Sequence, residues 1–265
     1  MRKDYVARAG PELEQAFVAE FWDKRWRDET ESAARREALR QSEEHRFLEG
    51  LLGGRKGLDI LDCGCGTGDW TLLLREDGQA ARGIDIAPEA VSRLRERFGD
   101  VFAAADFRAT PFPDASFDLI LNWGGIEHFE EGPLPSIREA FRLLRPGGAF
   151  VATTPCHNLR LILLDSLAGQ GGGPAGPESE FRFYQYRFSR SELETYFRSC
   201  GFGSVRSRIL NAAQGIERSF QHELRPLGRL LPRRGRGLIR RALSPLLRPV
   251  LGHIVICVGL RPPAR

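Results

Sequence analysis

The sequence predicts a doubly wound α/β fold, a parallel sheet with helices on both faces, and three observations carry this. Short apolar strands alternate with helical patterns through residues 58–155, joined by connections of a few residues, as crossover βαβ units require. The first of these strands runs directly into a glycine loop that opens a helix, the arrangement of a ligand-binding strand–turn–helix unit. The chain has 265 residues, 42% hydrophobic and 28% charged, which suits one large α/β domain or two small ones and excludes wholesale disorder.

The elements follow in chain order. Residues 11–50 contain few breakers and carry Leu13, Phe17, Phe21 and Leu39 among charges, so they read as helical; Gly50, Gly53 and Gly54 close the section. Residues 1–50 therefore form an expected N-terminal helical cap, and 51–265 the main domain. In that domain, 58–62 is a strand, 69–75 a helix and 82–86 a second strand. Pro88 suits a first helical turn, and the helix continues to Phe98. Strands follow at 101–105 and 117–122, a helix at 136–144, a turn at Pro146-Gly147-Gly148 and a fifth strand at 149–153. The glycine-rich stretch 169–177 reads as a loop suited to hinge a lid. Ser191 is placed as the N-cap of a helix through Arg198, with Glu194 in the capping box, and 205–210 and 253–260 are the last strands.

Several classes are excluded or disfavoured. The longest apolar runs fall far short of a membrane span, and no apolar segment follows Met1-Arg2-Lys3, so no signal peptide is expected. Five cysteines (63, 65, 156, 200 and 257) show no zinc spacing, so no metal is expected, and their odd, sparse count suits a reducing cytoplasm. The net charge of +4 hides an asymmetry: after Glu223 there are ten arginines and no acid, so residues 224–265 carry +10 and the first 223 carry −6. Leu238, Ile239, Ala242, Leu243, Leu246, Leu247 and Val250 recur at helical spacing among these arginines. Residues 211–250 thus read as a basic helical insertion before the last strand. One reading puts 224–250 peripherally on an anionic membrane, suiting a lipid-linked acceptor; the favoured one packs its leucines on the body.

The chemistry gathers at the strand ends. Asp62-Cys63-Gly64-Cys65-Gly66-Thr67-Gly68 lets the backbone approach a ligand closely, but the third glycine falls one residue early for a dinucleotide fingerprint and Asp69 takes its place. Asp62, opening the loop, suits an ammonium better than a pyrophosphate. Asp85 ends the second strand, where a carboxylate accepts from ribose hydroxyls; Asp106 and Phe107 follow the third, one to accept from an exocyclic amine and one to pack on a base. Asn122 ends the fourth strand at the same edge. Together they describe a nucleoside carrying an amino-acid-like cation.

The stretches 58–68, 83–91, 105–107, 112–120 and 143–148, in this order, resemble the class I S-adenosylmethionine-dependent methyltransferases, nearest the broad type 11-like small-molecule group. The resemblance implies a Rossmann-like sheet of seven strands with the last antiparallel, and S-adenosyl-L-methionine as cofactor with S-adenosyl-L-homocysteine as product. It implies that Gly64, Cys65, Gly66 and Gly68 lie under the methionine moiety, with Asp62 near its ammonium. Asp85 would hold the ribose, Ile86 and Phe107 flank the adenine, Asp106 accept from its amine, and Asn122 stand near the methionyl end. His128 follows the fourth strand at a family position facing the acceptor, and as a base it slightly favours O-methylation; equally, it is a structural pocket residue. His157, after the fifth strand, is a second catalytic candidate. Trp123, Tyr184 and Tyr186 are candidate acceptor contacts, whereas Trp22 and Trp26 are better read as helix packing. The expected function is methyl transfer to a small-molecule, sugar or lipid-linked acceptor. The alternatives are a non-catalytic cofactor-binding regulatory or partner subunit and, disfavoured because Asn122-Trp-Gly-Gly lacks the Asn/Asp-Pro-Pro-aromatic motif, an RNA methyltransferase; no nucleic-acid partner is expected.

Overall fold

A computed structural model describes residues 1–7, 14–27, 29–168, 181–212 and 246–264. The N-terminal part comprises β1 (Arg2–Ala7), α1 (Glu14–Trp26), α2 (Ala33–Arg40) and α3 (Glu43–Leu52). The main domain follows with β2 (Asp59–Cys63), α4 (Asp69–Glu76), β3 (Ala80–Asp85), α5 (Pro88–Phe98), β4 (Phe102–Ala104), β5 (Phe117–Trp123), α6 (Leu134–Leu143), β6 (Leu144–Pro155), α7 (Leu159–Ala168), β7 (Phe181–Arg187), α8 (Arg190–Ser199), β8 (Ser204–Leu210) and β9 (Ile254–Leu260).

Seven strands form one sheet in the order β4-β3-β2-β5-β6-β9-β8, and β9 runs antiparallel to both β6 and β8. The doubly wound sheet with an antiparallel last strand is thus present. The order reverses at β2, which opens a crevice between the carboxyl ends of β2 and β5. Central strands are apolar on both faces: Leu61, Ile120, Phe150 and Val151 are fully buried, as a sheet covered twice demands. On one face Phe150 stacks on Phe197 of α8 at 5.0 Å and Phe107 meets Phe150 edge-on at 5.9 Å, tying a crevice residue to the core.

Several local expectations need correcting. The N-terminal segment is not all helical: β1 pairs antiparallel with β7 in a separate two-stranded sheet, Arg2 opposite Arg187 and Ala7 opposite Phe181. The cap of α8 is Ser189, two residues earlier than expected; its hydroxyl accepts from the Glu192 N–H, and Glu192 answers to the Ser189 N–H at 2.9 Å. Both Ser189 and Ser191 have a glutamate three residues on, so the local pattern fits either register. The Pro146–Gly148 turn is an irregularity inside β6, where pairing with β5 jumps from Leu144 to Ala149.

The glycine-rich stretch 169–177, Leu13, and residues 213–245 of the basic insertion lie outside the described residues, and with them most of the expected membrane-facing stretch 224–250. The ends of the insertion touch α3: Asn211 donates to Glu44 at 2.6 Å and Arg248 pairs with Glu43 at 3.1 Å. Among the described residues no helix is long and apolar enough to cross a membrane.

Candidate active site

The glycine loop leaves β2 and returns as α4. Its turn is held to β3, because the Gly64 and Cys65 N–H groups both donate to the Ile84 carbonyl at 2.8 and 2.9 Å. Gly68 caps α4 with φ +78°, and a Cβ there would lie 2.8 Å from the Phe102 ring, so conformation and space both require glycine. At Gly66 a Cβ would approach the Trp26 indole to 3.0 Å, so the glycine lets α1 close over the loop.

Two N-terminal contacts bring the cap onto this edge. Ala87, the N-cap of α5, has no side-chain oxygen; Asp23 of α1 supplies one, accepting from the Glu89 and Ala90 N–H groups at 3.0 Å each. Asp69 accepts from the Ser32 N–H at 2.8 Å, from Arg35 at 3.0 Å and from the Thr67 hydroxyl at 2.8 Å. The acid that breaks the dinucleotide fingerprint thus fastens α2 to the glycine loop.

The result is a cavity of about 280 Å³ over the carboxyl ends of β2, β3 and β5. Gly64, Cys65, Gly66, Asp62, Asp85, Ile86, Phe107, Asn122, Trp123 and His128 all line it. Of the expected cofactor residues, Gly68 and Asp106 do not: Gly68 packs behind the loop, and the Asp106 carboxylate is held by Arg108 at 2.7 Å, with Arg108 also paired to Glu131. His157 also lies elsewhere, its Nε2 3.0 Å from Asp165 beside a separate groove. Tyr186 is buried and donates to the Glu130 carbonyl at 2.7 Å. Tyr184 contributes through its backbone, described below. Among the described residues no group of three His, Cys, Asp or Glu is arranged to hold a metal. Cys63 and Cys65 are buried, and burial holds both thiols well above their usual range, as inert packing residues.

The wall includes residues that the sequence reading did not assign to the site. Trp22 and Trp26 stack at 5.5 Å and line the cavity instead of merely packing α1; Trp70 stacks on Trp123 at 4.5 Å; Arg35, Leu39 and Phe129 complete the rim. Nothing local in residues 20–40 signals this, since long-range contacts through Asp23 and Asp69 place them.

Burial of the titratable groups dominates the electrostatics of the site. Asp62 accepts from the Thr71 hydroxyl at 2.7 Å through one oxygen, while buried Oδ1 has no hydrogen-bond partner among the described residues; burial raises its pKa to about 7. Asp85 accepts from the Gly66 N–H at 2.8 Å and the Ala87 N–H at 3.0 Å, and its pKa is also raised by burial. Asn122 braces the edge: its amide donates to the Cys63 carbonyl at 2.7 Å and its oxygen accepts from the Gly125 and Ile126 N–H groups. His128 Nδ1 lies 2.8 Å from the Tyr184 carbonyl, which can only accept, so Nδ1 carries the proton and Nε2 keeps the lone pair. Burial lowers the pKa of His128 to about 4. Glu127, whose Oε1 is 3.9 Å from His128 Nε2, is raised by burial to about 8. At neutral pH the pair is therefore an uncharged imidazole beside an uncharged carboxylic acid.

Comparison with known proteins agrees with this geometry. Residues 60–148 match the family described as methyltransferase domain. The chain is 27% identical over 213 residues to the malonyl-[acyl-carrier protein] O-methyltransferase of Serratia marcescens, covering 78% of this chain and 81% of that protein. It is 35% identical over 100 residues to a probable S-adenosylmethionine-dependent methyltransferase of Mycolicibacterium smegmatis, a match that spans 37% of this chain and only 38% of that protein. In structure it overlays with a TM-score of 0.54 and 20% identity on the Burkholderia thailandensis 1,6-didemethyltoxoflavin-N1-methyltransferase, covering 97% and 95% of the two chains. Motif order, sheet topology and relatives converge: residues 60–148 match a methyltransferase domain, and the chain is similar to the class I S-adenosylmethionine-dependent methyltransferases, whose cofactor is S-adenosyl-L-methionine.

Proposed function

We propose that this protein transfers the methyl group of S-adenosyl-L-methionine to a hydroxyl of a small-molecule acceptor, with His128 as the base. The observation that carries the reading is a neutral imidazole with its Nδ1–H tied to a backbone carbonyl, lining the same cavity as the glycine loop and Asp85. The cavity fits the cofactor, because the orphaned Oδ1 of Asp62 is a buried acceptor that an ammonium would satisfy. Asp85 has oxygen lone pairs left for ribose hydroxyls beyond its two backbone bonds, and Ile86 and Phe107 offer apolar faces to a base. Arg35, held beside the loop by Thr67 and Asp69, is the cation available to a carboxylate.

When bound, the cofactor supplies a methyl group on a sulfonium as the electrophile. The protein's part is to align the acceptor, exclude water and accept a proton. His128 Nε2 takes the hydroxyl proton. The imidazolium gains the positive charge that the sulfonium loses, so the net charge of the site is unchanged while Glu127, 3.9 Å from Nε2, stays protonated. In a turnover assay on a true acceptor, His128→Ala is expected to lower kcat by about 10²–10⁴-fold while S-adenosyl-L-homocysteine affinity holds. An unchanged kcat removes the base and leaves transfer by proximity alone; a chain that binds the cofactor but methylates no acceptor supports the non-catalytic subunit reading.

A further inference from the structure

The chain has four tryptophans, Trp22, Trp26, Trp70 and Trp123, and all four line the one cavity. They arrive from three separate places: α1, the first turn of α4 and the end of β5. They form two near-parallel pairs, 5.5 Å apart at 19° and 4.5 Å apart at 20°. His128 meets the Trp22 and Tyr184 rings edge-on, both at 5.0 Å, so the basic nitrogen stands among aromatic rings. The buried Trp123 Nε1–H has no acceptor among the described residues. Among the described residues no lysine lines the cavity, and its one arginine, Arg35, beside Asp69, is the cation assigned above to the cofactor's carboxylate.

We propose that the acceptor is an uncharged, flat aromatic compound bearing a ring hydroxyl, held against this tryptophan wall with its oxygen presented to His128 Nε2. The inference rests on the methyl-transfer reading above and deepens it. Flat rings gain stacking from indole faces that a saturated ring of equal size does not. A phosphorylated or carboxylated acceptor would need a cation of its own, and the described wall has none beyond Arg35. The acid–base match points the same way. A buried imidazole is a weak base for an aliphatic alcohol, whose proton is held about as tightly as that of water. A phenolic hydroxyl, at about pKa 10, gives up its proton far more readily and narrows that gap. The transfer balances: the oxygen–hydrogen bond breaks toward Nε2, the oxygen lone pair forms the new carbon–oxygen bond, and the sulfonium leaves as neutral thioether. The unpaired Trp123 N–H is a donor for a further ligand oxygen.

The test is calorimetry on the full chain, first with S-adenosyl-L-homocysteine alone and then, at saturation, with three probes: 1-naphthol, decahydro-1-naphthol and 1-naphthylmethylamine. The expected result is binding of 1-naphthol, with the saturated alcohol and the ammonium compound each at least about tenfold weaker. Trp22→Leu is expected to weaken 1-naphthol by a similar factor, with S-adenosyl-L-homocysteine binding as the control for folding. Equal binding of the saturated alcohol, tighter binding of the amine, or no binding of any probe to the loaded protein overturns the aromatic assignment and spares the cofactor reading. Failure of S-adenosyl-L-homocysteine itself to bind overturns the cofactor reading, and the acceptor assignment with it.

Discussion

Glu127 is the side chain whose ionisation costs the fold most visibly, and Glu127→Gln turns that cost into a measurement. The carboxyl is buried, and Oε2 has no hydrogen-bond partner among the described residues. Its pKa rises from 4.5 to about 8, with desolvation as the largest cause. A raised folded pKa gives stability that is complete below the unfolded pKa and is lost as pH climbs toward the folded one. At about pH 7 the unfolded chain has released this proton and the folded chain has not, a gap of about 2.5 units or about 3 kcal/mol at 1.36 kcal/mol per unit. By about pH 9 the cost saturates near 5 kcal/mol. Glutamine copies the neutral acid in size and never ionises, so the variant should gain on the wild type by these amounts between about pH 5 and pH 8.5. Asp62 and His128 titrate in both proteins and largely cancel in the difference. The assay is urea unfolding followed by far-UV circular dichroism, with the midpoint difference plotted against pH. A difference that stays flat across this range would refute the buried-acid account, whatever its absolute size.

Two further outcomes follow from the site. With Asp62 near pKa 7 in the free protein, binding a ligand ammonium beside it should expel about 0.9 proton at about pH 6 and about 0.1 at about pH 8, read by S-adenosyl-L-homocysteine calorimetry in buffers of different ionisation enthalpy; Asp62→Asn should abolish the pH dependence. Gly68→Ala forces a side chain into φ +78° and 2.8 Å from the Phe102 ring, and should cost about 2–5 kcal/mol in urea unfolding, the sum of left-handed strain and overpacking.

What was legible in the sequence was local. The glycine loop, Asp85 and the placement of Asn122 are strand-end features written within a few residues, and the doubly wound order follows from alternating elements. What was hidden depends on partners far along the chain. The β1 strand is defined by β7, some 180 positions away, and has no marked pattern of its own. Trp22 and Trp26 reach the crevice only because Asp23 caps a helix that lacks a cap of its own, and Arg35 only because Asp69 claims the first turn of α2. Asp106 shows the reverse: its position reads correctly as an edge acid, while the arginine two residues on engages its carboxylate.

The tryptophan wall makes the protein its own optical probe. With every indole at one cavity, intrinsic emission reports that place and little else, so a fluorescence melt follows the crevice while circular dichroism follows the helices and sheet. Two of the four emitters ride on α1 and two stand on the α/β domain. If the N-terminal cap can lift while the sheet persists, the two melting curves separate; if cap and sheet unfold as a single cooperative unit, they superimpose.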